Sequence, residues 1–191
     1  MEETMKYSIQ SLTGIIAIFL IIFSSYSQVS DSELKITEES IAKCKATSSV
    51  KATPEMIIEK VEQACVLVEK KGKKAFPAFK GKNSDFLFAG TYIWINDLDG
   101  LMLMHPIKPK MVGNNYISLK DISGKRFLVE MINKVIDENE GWVEYLWPKP
   151  GEKESSLKVS YVKKAICNGK EVLIGCGTYD ISRQEIRKLS H

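Results

Sequence analysis

The stretch that decides the fold runs from Thr91 to Pro106: Thr91-Tyr92-Ile93-Trp94-Ile95-Asn96-Asp97-Leu98-Asp99-Gly100-Leu101-Met102-Leu103-Met104-His105-Pro106. Aromatic and aliphatic side chains alternate from Tyr92 to Ile95, the period-two pattern of a strand over Thr91 to Asn96, and Leu101 to His105 reads as the returning strand. Between them Asp97-Leu98-Asp99-Gly100 is turn chemistry, with aspartates that hydrogen-bond nearby backbone and a glycine free to take positive φ. With those residues as the loop, Asn96 pairs with Leu101, Trp94 with Leu103 and Tyr92 with His105. Tyr92, Trp94, Leu103 and His105 then share one face, and Ile93, Ile95, Met102 and Met104 the other. Asp97, Asp99 and Gly100 also match the opening of a calcium loop. The ligand at position five and the distal glutamate are missing, so the reading is a plain β-turn.

Upstream, Thr53-Pro54-Glu55 is a helix start: Thr53 can cap, Pro54 suits the first helical position and Glu55 lies in the first turn. Ile57, Val61, Ala64, Cys65 and Val68 recur at helical spacing to about Lys71, where Gly72 can stop the helix. A second helical piece covers Lys73 to Phe79. Downstream, Ile107 to Gly124 is irregular, and Lys125 to Asp137 is an amphipathic helix with Phe127, Leu128, Met131 and Val135 on one side. Strands follow at Gly141–Trp147, Lys158–Cys167 and Glu171–Tyr179, the last two joined by an Asn168-Gly169 hairpin turn. Ser182 to Leu189 reads as a short charged helix.

Gly14 to Phe23, GIIAIFLIIF, is an uncharged apolar run of ten. Crossing a bilayer takes about 20 residues, and ten is the length of a signal-peptide core. Ser25 and Ser27 supply the small residues of a cleavage site. The expectation is a signal peptide over 1–27 and an exported product, periplasmic or extracellular. An uncleaved membrane anchor stays open as the alternative. A polar segment over 28–53, with a short helix around Glu33 to Lys45, would precede the domain at 54–181, with a tail at 182–191.

The chain holds 27 basic and 24 acidic residues, a net charge of +3 spread along its length, which is not the clustered basic stripe of a nucleic-acid binder. Four cysteines, Cys44, Cys65, Cys167 and Cys176, show no C-x-x-C spacing, so no zinc site is indicated. The hairpin turn sets Cys167 opposite Lys170 and Cys176 opposite Tyr161, which argues against pairing those two. A Cys44–Cys65 disulfide stays open. With two histidines, one of them the terminal His191, and no nucleophile elbow, Walker loop or H-E-x-x-H, catalysis has little to work with. No cofactor is indicated.

This order of elements, and several phrases, resemble the single Cache domains, the extracytoplasmic PAS-like sensor domains of bacterial chemoreceptors and sensor kinases. The phrases are Thr91 to Gly100, Met104-His105-Pro106, Met111 to Asn115, Leu119-Lys120-Asp121, Gly141 to Pro148, Ser160-Tyr161-Val162 and Gly175 to Tyr179. The fold expected is α+β: a PAS-like, antiparallel five-stranded sheet, a long N-terminal helix on one face, and a helical and loop excursion covering a ligand pocket on the other. The resemblance implies a pocket for a small organic ligand, often a short carboxylate such as acetate, propionate, pyruvate or lactate. It also implies action in chemotaxis or signal transduction, here through a separate membrane signalling protein, with homodimerisation through the long helix as a further analogy.

Tyr92, Trp94 and His105 fall on one face of the first hairpin, and Tyr145 and Trp147 on one face of the third strand. If both line one cavity, the rings supply apolar walls and the tyrosine hydroxyls supply polar tips. His105 can donate to a carboxylate, and better when charged. Lys158 and Lys163 flank Tyr161, and either can supply a positive end. The expected ligand-binding set is Tyr92, Trp94, His105, Tyr145, Trp147, Lys158 and Tyr161. The same alternation would also serve as plain core, and a Cache scaffold that has lost its ligand is the competing reading.

Overall fold

The protein is described by a computed structural model over residues 29–149, 152–179, 181–182 and 184–185. The expected signal peptide and most of the expected C-terminal helix lie outside these residues.

Two helices open the described chain, α1 (Asp31–Thr47) and α2 (Pro54–Lys71). α1 is longer than the short helix expected around Glu33 to Lys45. α2 has the expected ends: the Met56 N–H donates to the Thr53 hydroxyl at 3.3 Å, Pro54 sits in the first turn, and Gly72 at φ 57° ends the helix. A 3-10 helix (Gly72–Phe79) follows. The strands are β1 (Leu87–Phe88), β2 (Thr91–Asp97), β3 (Met102–Met104), β4 (Glu140–Pro148), β5 (Ser155–Cys167) and β6 (Lys170–Thr178), with helix α3 (Phe127–Glu138) between β3 and β4.

The sheet is antiparallel, in the order β1-β2-β6-β5-β4, with β3 also paired to β2. It has six strands rather than the five expected, because the two-residue β1 pairs with the start of β2. β6 runs through the middle and is buried from Val172 to Thr178, as a strand covered on both faces must be. One face carries Ile93, Ile95, Ala165, Ile174 and Cys176 against Ile57, Val61, Ala64 and Val68 of α2. The other carries Tyr92, Trp94, Val143, Tyr145, Val162 and Leu173 against Phe127, Leu128, Met131 and Val135 of α3.

The hairpin that decides the fold departs from its expected register. Ile95 pairs with Met104 but Asn96 pairs with Met102, so a bulge at Leu103 breaks the ladder. An extra residue in one strand inverts the side-chain parity beyond it. Met102 therefore joins the Tyr92–Trp94 side, while Met104 stays with Ile93 and Ile95. Leu103, expected beside Trp94, packs with the opposite cluster. The Asp97 carboxylate accepts from the Asp99 and Leu101 N–H groups at 3.1 and 2.7 Å, closing the turn.

Asn168 and Gly169 both take positive φ, 52° and 79°, the type I′ geometry that suits a two-residue hairpin. Cys167 lies opposite Lys170 and Cys176 opposite Tyr161, as that turn requires. All four cysteines are free and buried. Cys44 packs with the Tyr92–Trp94 cluster and Cys65 with the α2 cluster, on opposite faces of the sheet, so the Cys44–Cys65 pairing is not formed.

The stretch between β3 and α3 is tied down by Asp121. One carboxylate oxygen accepts from the Ser123 and Lys125 N–H groups, and the other from Leu146 N–H on β4 at 2.9 Å. Burial alone would raise its pKa; the hydrogen bonds outweigh that and hold it at about 2. Together with the Lys125 ammonium, which donates to the Glu144 carbonyl oxygen, it ties the end of the excursion to β4.

Candidate ligand-binding site

Between the excursion and the sheet lies a cavity of about 40 Å³. One water needs about 10–15 Å³ on this measure, so the space suits a molecule of a few heavy atoms. β2 contributes Tyr92, Trp94 and Asn96, β4 contributes Tyr145 and Trp147, and β5 contributes Lys158. Met102 and His105 come from the hairpin's return, Met111, Tyr116 and Leu119 from the loop, and Phe127, Leu128 and Met131 from α3.

Two of its walls, Trp94 and Lys158, rest on two glycines of β6. A Cβ on Gly175 would overlap the Trp94 indole, with Cε2 at 2.7 Å. A Cβ on Gly177 would overlap the Ser160 hydroxyl and stand 2.8 Å from Lys158 Cε and 2.9 Å from the Val159 carbonyl oxygen. Bare backbone here lets Trp94 and Lys158 lie flat over the strand. Gly177→Ala is therefore expected to cost about 1–3 kcal/mol of stability through overpacking and to displace Lys158. Denaturant unfolding checks this; a variant as stable as the parent would refute it.

Lys158 is 1% exposed. Its ammonium sits 4.7 Å from the Tyr92 ring centroid, 5.0 Å from Trp94 and 5.5 Å from Tyr179, and donates to the Tyr92 hydroxyl at 3.4 Å. Among the described residues no carboxylate lies within 4 Å of it. Burial in this aromatic cage, with a smaller contribution from Lys108, lowers its pKa to about 7, against some relief from the Cys176 and Cys44 sulfurs. Cation–π contact offsets part of the cost of burying it, but an anion is what the cage lacks.

His105 follows β3. Its Nδ1 accepts from the Ile107 and Lys108 N–H groups at 3.3 and 3.1 Å, so the ring hydrogen belongs on Nε2. Burial, then Lys158, Lys108 and Lys80, hold its pKa well below the usual histidine value. The ring is neutral, since a proton on Nδ1 would break both backbone bonds, so any donation to a ligand comes from Nε2–H without the help of a charge. It packs 5.0 Å from the Tyr92 ring. Tyr145 stacks on Phe127 at 4.4 Å, with its hydroxyl 3.1 Å from the Ser160 hydroxyl. Trp147 stands edge-on to Phe127 at 5.4 Å and carries the Lys108 ammonium 4.5 Å above its ring.

Six of the seven expected site residues thus meet at one cavity. Tyr161 does not. It lies an odd number of positions from Lys158 on the same strand, hence on the opposite face, packed 5.2 Å from Trp142 and among the α2 contacts. Lys163 shares that face and is bound by Glu140 and Glu62. Reading the residues missed Asn96, Ser160, Tyr179 and the two β6 glycines. Of these, Gly175-Cys176-Gly177 inside an apolar strand is a legible sign of close approach. Met102 was hidden by the bulge.

The family model for single Cache domain 2 matches residues 24–188. The chain belongs to this family. The Cache domain here is 36% identical over 100 residues to the methyl-accepting chemotaxis protein McpP of Pseudomonas putida, covering 51% of this chain and 18% of that protein. It thus spans about a fifth of the length of that curated relative. Among solved structures it is similar to a Cache chemosensory domain described as the structural basis for carboxylic acid recognition, at 29% identity and a TM-score of 0.57, covering 66% of this chain and 92% of that one. A methyl-accepting chemotaxis protein from Vibrio parahaemolyticus shares the fold at 20% identity and a TM-score of 0.53, covering 78% of this chain and 96% of that one. These matches establish a single Cache domain, with the mixed helix and antiparallel sheet described above.

Proposed function

We propose that this Cache domain binds a short organic acid outside the cytoplasm and passes the binding event to a membrane signalling partner, with no reaction of its own. The observation that carries the reading is Lys158: a buried amine, caged by rings, facing a small cavity and lacking a carboxylate among the described residues. A carboxylate supplied by a ligand would complete the pair, and the His105 Nε2–H can add a donor to it. The cavity volume limits the acid to a few heavy atoms. The matched domain associated with carboxylic acid recognition supports the same class of ligand.

A thermal-shift titration of the chain with acetate, propionate, pyruvate and lactate tests this. A ligand at a hundred times its dissociation constant stabilises by about 2.7 kcal/mol, a shift of several degrees for a domain of this size. Stabilisation by at least one acid and by no matched amine is expected. No shift with any acid would instead favour a Cache scaffold without a ligand.

A further inference from the structure

Asn96 is the cavity's unexplained group. Its side chain is 0% exposed, it lines the cavity, and neither Oδ1 nor Nδ2 has a hydrogen-bond partner among the described residues. A buried carboxamide with both ends unpartnered is rare, because it has given up its water contacts without replacement. Several of the cavity's other polar groups are engaged, Tyr145 with Ser160, Lys158 with Tyr92 and His105 Nδ1 with backbone, whereas both ends of the buried Asn96 carboxamide are not. Asn96 follows Tyr92 and Trp94 along the same face of β2, so it stands beyond Trp94 as seen from the Lys158–Tyr92 contact. The inference rests on the proposed acid site: with a carboxylate at Lys158, Asn96 meets the other end of the ligand.

We infer that Asn96 is a second polar contact of the cavity, and that the ligand is a short hydroxy acid carrying its hydroxyl away from the carboxylate. A carboxamide offers one acceptor and two donors, and a hydroxyl can answer either in little volume. A methyl end would leave both atoms unpaired. A second carboxylate could accept from Nδ2 but would bring a second anion and more bulk than a cavity of about 40 Å³ holds. An ammonium could donate to Oδ1 but would bring a second cation into the space that already holds Lys158.

Calorimetric titration of the full chain with propionate and 3-hydroxypropionate decides the matter. The natural protein should bind the hydroxy acid at least about tenfold more tightly, since a site built for a hydroxyl rejects the analogue lacking it. Asn96→Leu, similar in volume, should reverse the order while still binding propionate. Equal affinity, or a preference for propionate, in the unsubstituted protein would overturn the inference and leave the acid site standing; it would mean that Asn96 holds an ordered water. Binding of neither acid would overturn this inference, and the acid-site reading would fall with it only if acetate, pyruvate and lactate also leave the chain unshifted. The comparison in the unsubstituted protein needs no variant to fold.

Discussion

Lys158→Met abolishes binding of short carboxylates and, in the same protein, raises stability in the absence of ligand. The two effects have one cause. The ammonium is buried against Tyr92, Trp94 and Tyr179 with no carboxylate of the described residues beside it, so the folded ligand-free chain bears the cost of desolvating a charge. Methionine keeps most of the shape and removes the charge, which is expected to stabilise by about 1–4 kcal/mol. The ligand's carboxylate then has no cationic partner inside the cavity, and removing one member of a buried pair costs at least about thirtyfold in affinity. Denaturant unfolding and calorimetric titration of the two proteins measure both. A variant that loses stability, or that still binds propionate like the parent, would show that Lys158 is a packing residue.

Affinity for a short carboxylate declines about tenfold per pH unit once the pH passes 7. The free amine carries its proton only below a pKa of about 7. A bound carboxylate favours the charged form, so the complex keeps the proton and binding above pH 7 takes one up. The facing groups do not obscure this. His105 is neutral throughout the window, and Tyr92, Tyr145, Tyr179, Cys44 and Cys176 are all pushed upward by burial and stay protonated. Lys108, above Trp147, adds a like charge that disfavours the ammonium further. Stability of the ligand-free chain has the matching sign. The unfolded amine holds its proton up to 10.5 and the folded one only to about 7, so the unfolded state binds more protons between those values. Stability therefore rises with pH across that window. Titration in buffers of different ionisation enthalpy reports the proton directly. A flat affinity from pH 6 to 9 would contradict the mechanism.

The elements with two independent local signals were legible before the structure. α2 has a cap, an N-terminal proline and a terminal glycine, and its ends fall at Pro54 and Lys71 as expected. The Asn168-Gly169 turn demands positive φ at both residues, which fixes the β5–β6 register and with it the cysteine partners. The site was legible where alternation alone sufficed, at Tyr92, Trp94, Tyr145 and Trp147. Tyr161 is separated from the cavity by parity: it stands an odd number of positions from Lys158 on β5, so the two side chains cannot share a face. Met102 was beyond reach, since nothing in Leu101 to His105 announces a bulge. The helix over the pocket was legible, but which of its apolar residues face the cavity was not, because Phe127, Leu128 and Met131 have the same helical spacing whether they cover a sheet or a ligand. The sequence offers Lys158 and Lys163 alike as a positive end; the three-dimensional cage separates them, with Lys158 among the rings and Lys163 bound by Glu140 and Glu62.

The bare backbone at Gly175 and Gly177, beneath Trp94 and Lys158, has a consequence for how the proposed ligand site can be resized. Main-chain atoms cannot be enlarged or trimmed by substitution, and any side chain added there collides with Trp94 or Lys158. Ligand size must therefore be adjusted from the roof, where Met102, Met111 and Met131 are unbranched, pliable side chains. Among descendants of this chain, the charged anchor and its glycine bed would persist, while the methionine ceiling would be the part that drifts as the diet of acids changes.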